Sequence, residues 1–112
     1  MVDLIEGAVV WVELDPIRGR EQGGRRPALV VSTQEYLDAV TTLAIVLPVT
    51  NRDRGWRNHI ELTGRTGLPS ASWAMTEQPR TIARERIARV VGVVDDSCLA
   101  EVRVHLRDYF GI

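Results

Sequence analysis

Arginine and glycine are concentrated in one short stretch near the start of the chain, DPIRGREQGGRRPALVV, which covers residues 15–31. It holds a glutamate, a glutamine and four arginines, which are Arg18, Arg20, Arg25 and Arg26. The guanidinium group stays charged and offers a planar fork of N–H donors that can bind a phosphate through two hydrogen bonds. The apolar run ALVV follows directly, so this charged segment leads into a buried strand.

A second group of arginines, Arg52, Arg54 and Arg57, lies in a later polar segment. All 14 basic residues are arginine, yet the formal net charge is only −1. Genome composition alone can produce an arginine bias, so the clustering is the informative feature. Two basic patches on a nearly neutral chain predict a polyanion site of limited extent.

The size and composition predict one soluble globular domain spanning residues 1–112. Of these residues 45% are hydrophobic and 26% are charged, which is ordinary for such domains. No apolar run approaches the roughly 20 residues of a membrane span, and the N-terminus does not resemble a signal peptide, so we expect a cytoplasmic protein. Cys98 is the only cysteine, which excludes an internal disulfide and a multi-cysteine metal site.

Common catalytic motifs are absent from the sequence. There is no HExxH, GxSxG, Walker or GxGxxG pattern, and GREQGG leads into a strand rather than the helix that a phosphate cradle requires. His59 and His105 lie far apart in the chain, with His105 expected on a helix surface, and Cys98 is expected to pack in the interior. No metal and no cofactor are predicted.

Hydrophobic patterning predicts a mainly β fold with a C-terminal helix. The predicted strands cover residues 7–14, 26–32, 41–51, 58–62, 72–78 and 88–94. Ser32 and Glu35 match a capping box, which predicts a helical turn over residues 33–38. Pro48 is expected at an edge or a bulge, the stretch TGRTGLPS is typical of a turn, and another turn is expected around residues 84–86.

The C-terminal helix begins in this interpretation at Asp95 or Asp96, and apolar residues recur within it at helical spacing. These residues are Leu99, Val102, Leu106 and Tyr109. Short strands followed by one helix predict a small, strongly curved antiparallel barrel.

Polar residues at the predicted strand ends are the candidate functional groups. Gly23 and Gly24 allow a sharp turn before Arg25 and Arg26, whose side chains must point to opposite faces of the strand. Pro27 favours an extended conformation at Arg26 and so fixes its direction. Arg25 is expected to be solvated or paired with an acidic neighbour, namely Glu13, Asp15 or Glu21. Further polar groups are Thr50, which ends the third strand, and the cluster TEQPRT at residues 76–81.

The order of these motifs resembles the MazF/PemK family of toxin endoribonucleases. The resemblance extends from Gly7 to the end of the chain, and its strongest parts are residues 7–32, 43–50 and 72–82, which contain GGRRPALVVS, LPVT and EQPRTI. It implies a small SH3-like antiparallel barrel of the CcdB/PemK type that forms a homodimer and cuts single-stranded RNA without a metal ion.

The resemblance also assigns the site residues. Arg26 in GGRRP matches the family's catalytic arginine, and Thr50 in LPVT matches its catalytic threonine. The RNA-binding residues that we predict, by similarity or as candidates from their own chemistry, are Arg20, Glu21, Gln22, Arg52, Trp56, Gln78 and Arg80.

Trp56 is the candidate base-stacking platform, whereas Trp11 and Trp73 are expected to pack in the core or a dimer interface. Arg20 replaces the small polar residue often found before the Glu-Gln pair, and the segment around residues 52–57 also varies among relatives, so both differences bear on which RNA sequence is preferred.

The implied reaction uses the 2′-hydroxyl of RNA as the nucleophile and gives a 2′,3′-cyclic phosphate and a 5′-hydroxyl. Arg26 would neutralise the charge that develops on the phosphate, and Thr50 would orient that group. Glu21 is a candidate proton acceptor. The same groove would bind a MazE-like antitoxin through an acidic, partly disordered tail.

Two other functions remain open at this point. SH3-like barrels also serve as non-catalytic binding modules, and some relatives are toxins that target DNA gyrase. The pair of Arg26 and Thr50 favours the nuclease, because neither alternative needs it; a structural adaptor has no positive support in the sequence.

Overall fold

The chain folds into one curled antiparallel sheet with a short and a long helix. The computed structural model describes residues 3–13 and 24–111. Within these ranges the elements are β1 (Ala8–Glu13), β2 (Arg25–Val30), α1 (Gln34–Ala39), β3 (Leu43–Thr50), β4 (His59–Glu61), β5 (Gly64–Arg65), β6 (Trp73–Met75), β7 (Arg80–Ala83), a 3₁₀ turn (Arg84–Arg86), β8 (Ile87–Val94) and α2 (Asp96–Phe110). No helix in the described part of the chain is both long and apolar enough to cross a membrane.

The strands are ordered β4-β6-β3-β2-β1-β8-β5, and β7 also pairs with β3. Every pairing is antiparallel. Strand β3 contacts β7 along its first half and β6 at its end, at Val49 and Thr50. Because β6 and β7 follow one another in sequence, they behave as one interrupted strand along β3.

The interruption between β6 and β7 is a bulge. Val46 pairs with Arg80 and Val49 pairs with Ala74, so three steps along β3 are matched by six steps along its partner. Three residues are therefore extra, and the bulge lies within residues 76–79, between the two strands. This polar segment contains Glu77 and Gln78, two residues of the TEQPRT cluster.

Both faces of the sheet are covered by apolar side chains. One cluster includes Val10, Val12, Ala28, Val30, Val46, Ile82 and Leu37 of α1, and the other includes Val9, Leu29, Leu47, Ile60, Val94 and, from α2, Cys98 and Val102. Alternate residues of β1, β2 and β3 thus enter different cores, which explains why these strands are continuous apolar runs in the sequence. The predicted packing role of Cys98 is confirmed, and burial raises the pKa of its thiol.

The predicted strands and helices agree with most of the structure, but three local predictions were wrong. Segments 64–65 and 80–83, which were expected to be outside strands, form β5 and β7. The N-cap of α1 is Thr33, whose hydroxyl accepts a hydrogen bond from the Tyr36 N–H at 3.1 Å. Ser32 is buried, and its Oγ instead accepts the Ile45 N–H at 3.2 Å.

Pro48, expected at an edge or a bulge of its own strand, lies inside the central strand β3. It falls in the gap where the partner of β3 changes from β7 to β6, so a residue that cannot donate a hydrogen bond is accommodated there.

Arg84 holds α1 against the sheet, a role that the sequence did not reveal. Its Nε donates to the Leu43 carbonyl at 2.9 Å, and its Nη2 donates to the carbonyls of Val40, at 3.0 Å, and Leu37. A cation at a helix C-terminus also complements the helix dipole. These bonds connect the 3₁₀ turn after β7 to the C-terminal end of α1.

The segment after β5 passes so close to β8 that only glycine fits at the crossing. Gly67 has a φ of +73°, and a Cβ atom there would overlap the Val91 carbonyl. We expect Gly67→Ala to lower the free energy of unfolding by about 2 kcal/mol or more, because left-handed strain and overpacking add. Gly55→Ala is the matched control, since Gly55 has a φ of +70° and no atom within 4 Å of the added Cβ. Denaturant unfolding should give the smaller loss for the control, and equal losses would contradict this packing.

Asp95 caps α2 and makes the fold sensitive to acid. Hydrogen bonds from the Cys98 N–H, the Thr63 hydroxyl and the Ser97 hydroxyl outweigh desolvation and lower the pKa of Asp95 below its ordinary value of 3.8. A carboxylate whose pKa is lower in the folded state contributes stability that is present above its ordinary pKa and is lost as the pH falls through the folded pKa. The Asp95→Asn variant retains a capping oxygen but does not titrate. We expect its free energy of unfolding to fall less than that of the wild type between about pH 5 and about pH 2, because the contribution of the Asp95 charge is absent. Parallel stability profiles for the two proteins would show that this cap does not titrate as described.

Candidate nucleic-acid interface

A cleft of about 560 Å³ opens at one end of the sheet, where the first apolar cluster reaches the surface. Its walls come from β1, β2, β3, β7 and the segment before β6. Val12, Ala28 and Val46 supply an apolar lining, while Arg26, Thr50, Arg54 and Arg80 supply polar groups. The cleft is therefore an apolar trough bordered by cationic and hydroxyl groups.

The register of β2 against β3 brings Arg26 and Thr50 to this cleft. Ala28 pairs with Pro48. Arg26 lies two residues before Ala28 and Thr50 lies two residues after Pro48, so both side chains are on the same face of the sheet as this pair. Continuing the register by two residues sets Arg26 level with Thr50, and both line the cleft. Arg80, which pairs with Val46, also lines it. Three predicted site residues that are distant in sequence therefore meet.

Arg25 and Arg26 are neighbours in sequence but differ in their contacts. Arg25 Nε lies 3.5 Å from Glu13 Oε1, so the pairing expected for Arg25 is confirmed. Arg26 is exposed, and its side chain makes no hydrogen bond or ion pair within residues 3–13 and 24–111. Within those ranges, no acidic side chain competes with an anion in the cleft for its donors.

Thr50 is half-buried at the end of β3. Its Oγ1 accepts the Arg52 N–H at 3.1 Å, a local turn that fixes the hydroxyl group. A hydroxyl that accepts one bond still has its own proton to donate. Thr50 can therefore donate a hydrogen bond into the cleft.

The charge of the cleft lining is strongly positive. Among its described residues are five arginines, Arg25, Arg26, Arg54, Arg80 and Arg86, and one carboxylate, that of Glu13. A concave site with this imbalance attracts polyanions even on a chain of net charge −1. Nowhere in the described chain do three or more His, Cys, Asp or Glu side chains form a group that could hold a metal ion.

The loop between β3 and β4 presents an aromatic ring beside the cleft. Trp56 is 53% exposed, and its ring centroid lies 4.7 Å from that of His59. The guanidinium carbon of Arg54 is 5.8 Å from the Trp56 ring centroid, within the range of a cation–π contact. Trp56 and Arg52 do not themselves line the cleft, but Arg54 connects this loop to it.

Glu77 organises the bulge between β6 and β7. Its carboxylate accepts hydrogen bonds from Asn58 Nδ2 at 2.7 Å, Gln78 Nε2 at 3.0 Å and His59 Nε2 at 3.2 Å. Desolvation raises the pKa of Glu77, but its own backbone N–H and the bonds from Gln78 and His59 lower it further than burial raises it. Glu77 is therefore ionised at neutral pH, and His59 Nε2 carries the shared proton.

Gln78 lies just outside the cleft lining. Its Nε2 is 3.7 Å from the sulfur of Met75, a lining residue. Arg20, Glu21 and Gln22 lie outside the described residues, so their predicted contacts remain predictions. The flanking residues Glu13 and Arg25 both line the cleft.

Several lining residues were not predicted as site residues. Arg54 belonged to a recognised basic cluster, but nothing in its spacing singled it out. Trp11, expected to pack in the core or a dimer interface, is half-buried and lines the cleft, as do Leu68 and Pro69 of a segment that was read only as a turn. These residues come together only when the sheet curls.

Comparison with known proteins identifies the family. The sequence pattern described as "PemK-like, MazF-like toxin of type II toxin-antitoxin system" matches residues 5–110. Endoribonuclease toxin MazF of Escherichia coli K12 is 32% identical over 108 residues, which cover 94% of this chain and 92% of that protein. Endoribonuclease MazF9 of Mycobacterium tuberculosis is 37% identical over 102 residues, 86% of each chain.

Solved structures show the same fold. The chain matches the crystal structure of MazE-MazF (Form-II) from Deinococcus radiodurans with a TM-score of 0.81 and 34% identity, covering 97% of this chain and 96% of that chain. The match to MazF (Form-I) from the same organism has a TM-score of 0.77 and 33% identity, with 97% of each chain covered. The predicted mainly β, SH3-like antiparallel barrel of the CcdB/PemK type with a C-terminal helix is confirmed. On these matches, the chain belongs to the PemK-like, MazF-like toxin family of type II toxin–antitoxin systems.

Proposed function

We propose that this chain is the toxin of a type II toxin–antitoxin system and a sequence-specific endoribonuclease that cleaves single-stranded RNA without a metal ion. Relatives that share about a third of its residues along most of its length are named endoribonucleases. The observation that carries the proposal is the shared cleft of Arg26 and Thr50. The chain acts as one toxin domain over residues 1–112.

The reaction needs little from the protein beyond geometry and charge. The 2′-hydroxyl attacks the adjacent phosphorus, the bond to the 5′-oxygen breaks, and the leaving oxygen takes up a proton. The products are a 2′,3′-cyclic phosphate and a 5′-hydroxyl. Holding the attacking and leaving oxygens in line and stabilising the extra negative charge supply the catalysis.

Arg26 provides the charge stabilisation. Its guanidinium donates to the non-bridging phosphate oxygens, and the lack of an acidic partner among the described residues leaves its full charge for this task. Thr50 donates its hydroxyl proton to the same phosphate and orients it, because the Arg52 N–H already fixes its oxygen. Arginine is a poor base, so Glu21 remains the candidate proton acceptor.

The surrounding residues bind the RNA strand on either side of the scissile phosphate. Arg80 and Arg52 contact neighbouring phosphates, Trp56 stacks on an unpaired base, and Gln78 contacts a base edge. Arg20, Glu21 and Gln22 complete the substrate loop. The exposed ring of Trp56 and the positive lining of the cleft support this arrangement.

The partners follow from the family. A MazE-like antitoxin with an acidic tail would occupy the positive cleft and exclude RNA, and the matched Deinococcus radiodurans structure is titled MazE-MazF. The chain forms a homodimer, a proposal supported by apolar side chains that α2 exposes, those of Val104, Tyr109 and Phe110. A toxin that cuts cellular RNA acts in the cytoplasm.

Incubating the purified protein with a long single-stranded RNA in EDTA tests the proposed activity. We expect discrete fragments with 2′,3′-cyclic phosphate and 5′-hydroxyl ends, mapped by primer extension and end-group analysis. Arg26→Ala should lower the cleavage rate at least about 100-fold, the scale of losing one preorganised donor to a transition-state oxyanion. Its circular dichroism spectrum should be unchanged, because Arg26 is exposed.

Arg25→Ala is the matched control for the loss of one positive charge. Arg25 is paired with Glu13 at the surface, so its removal should change the rate by less than about tenfold. Intact RNA with the wild-type protein would instead indicate a non-catalytic binding module or a gyrase toxin. An active, folded Arg26→Ala protein would reject the assignment of Arg26.

A further inference from the structure

The bulge between β6 and β7 is anchored almost entirely to the start of β4. The Thr76 hydroxyl donates to the Asn58 carbonyl at 2.7 Å, and the Thr76 N–H donates to the same oxygen at 3.3 Å. The Glu77 carboxylate accepts from Asn58 and His59. The polar segment that carries Gln78 is thus fixed to the strand that follows the Trp56 loop.

His59 lies at the centre of this connection and is the one buried histidine of the described chain. Only 2% of its side chain is exposed. Its ring contacts Trp56 at a centroid distance of 4.7 Å, and its Nε2 donates to Glu77 at 3.2 Å. Its Nδ1 is buried and has no hydrogen-bond partner among the described residues.

An unpaired buried nitrogen destabilises the fold, whereas an apolar side chain could fill the same space without that penalty. Packing alone therefore does not account for a histidine at position 59. Unlike an apolar ring, the imidazole makes a hydrogen bond to Glu77. The same ring also packs against Trp56.

Gln78 makes its own hydrogen bond to Glu77, and this bond determines which amide atom Gln78 presents to the solvent. Gln78 is exposed, and its Nε2 donates to the Glu77 carboxylate at 3.0 Å. Since an ionised carboxylate can only accept, the amide cannot flip without losing this bond. Its Oε1, to which no described residue donates a hydrogen bond, is therefore left as an acceptor for an N–H group on a base.

We propose that His59 is a positioning residue for RNA recognition, which couples the stacking ring of Trp56 to the amide of Gln78 through Glu77. The inference rests on the proposed endoribonuclease function. One base stacks on Trp56, while another base is selected by donating an N–H to Gln78 Oε1. His59 fixes these two groups relative to each other and touches neither the scissile phosphate nor the bases.

Kinetics on a short RNA that contains a mapped cut site test this role. For His59→Ala we expect KM to rise about tenfold, the equivalent of about one neutral hydrogen bond between protein and RNA. The value of kcat should stay within about threefold, because the affected contacts bind ground state and transition state alike. On a long RNA, additional cut positions should appear, because Glu77 loses its bond from His59 and can shift together with the Gln78 amide that is bonded to it.

Two further variants separate positioning from folding. His59→Gln carries an amide nitrogen that can replace Nε2 as donor to Glu77, and it should recover most of the KM and the original cut positions. Glu77→Leu breaks the same link without altering the buried ring and should reproduce the His59→Ala phenotype. Asp95→Ala at the cap of α2, which bonds none of His59, Glu77 and Gln78, is the destabilised control, expected to lower Tm while leaving KM unchanged.

The proposal is overturned if folded His59→Ala keeps the wild-type KM and cut positions, if Glu77→Leu does so, or if Asp95→Ala shifts KM equally. If His59→Ala fails to fold, Glu77→Leu and His59→Gln still decide the matter.

Absence of cleavage by the wild-type protein would reject the proposed function instead. In that case the affinity for a single-stranded RNA of 2′-O-methyl nucleotides is measured on the same variants, and about tenfold weaker binding by Glu77→Leu is expected.

Discussion

The antiparallel register between β2 and β3 is the constraint on which the site depends. The pairing of Ala28 with Pro48 and of Val30 with Val46 buries one face of both strands in the first core. The next residues on that face, Arg26 and Thr50, necessarily emerge together where the core opens. A slip of one residue would send the side chains of the slipped strand into the opposite core and would separate Arg26 from Thr50. Packing of the two cores therefore also enforces the convergence of the two polar groups.

The interrupted partner of β3 supplies the second half of the site. A continuous strand paired with β3 would leave residues 76–79 inside the ladder, with their side chains alternating between core and solvent. The excess of three residues instead makes this segment a polar bulge, in which the Glu77 carboxylate is satisfied by three donors. Bulges commonly re-aim side chains beside functional sites, and this one sets Gln78 next to the cleft while Arg80 returns to the strand.

Long apolar runs and the capped C-terminal helix were predictable from the sequence because their patterns are local. Segments β5 and β7 were not predictable, since a two-residue strand and the short mixed run RTIA acquire their structure from pairing with β8 and β3. Arg26, Thr50 and Arg80 were predicted as site residues through motif resemblance, and the sheet brings them to one cleft. The roles of Arg84, His59 and Glu77 could not be predicted, because their partners lie 18 or more residues away in sequence. The position of Arg54 could not be predicted either, because it depends on the conformation of a loop.

The central claim is that one phosphate of an RNA strand lies between the guanidinium of Arg26 and the hydroxyl of Thr50. A crystal structure with a single-stranded RNA that carries a 2′-deoxy nucleotide at the cut site tests it most directly, because the nucleophile is removed while the phosphate remains. The account predicts non-bridging oxygens within about 3 Å of both an Arg26 nitrogen and Thr50 Oγ1. A scissile phosphate bound away from either side chain would contradict it.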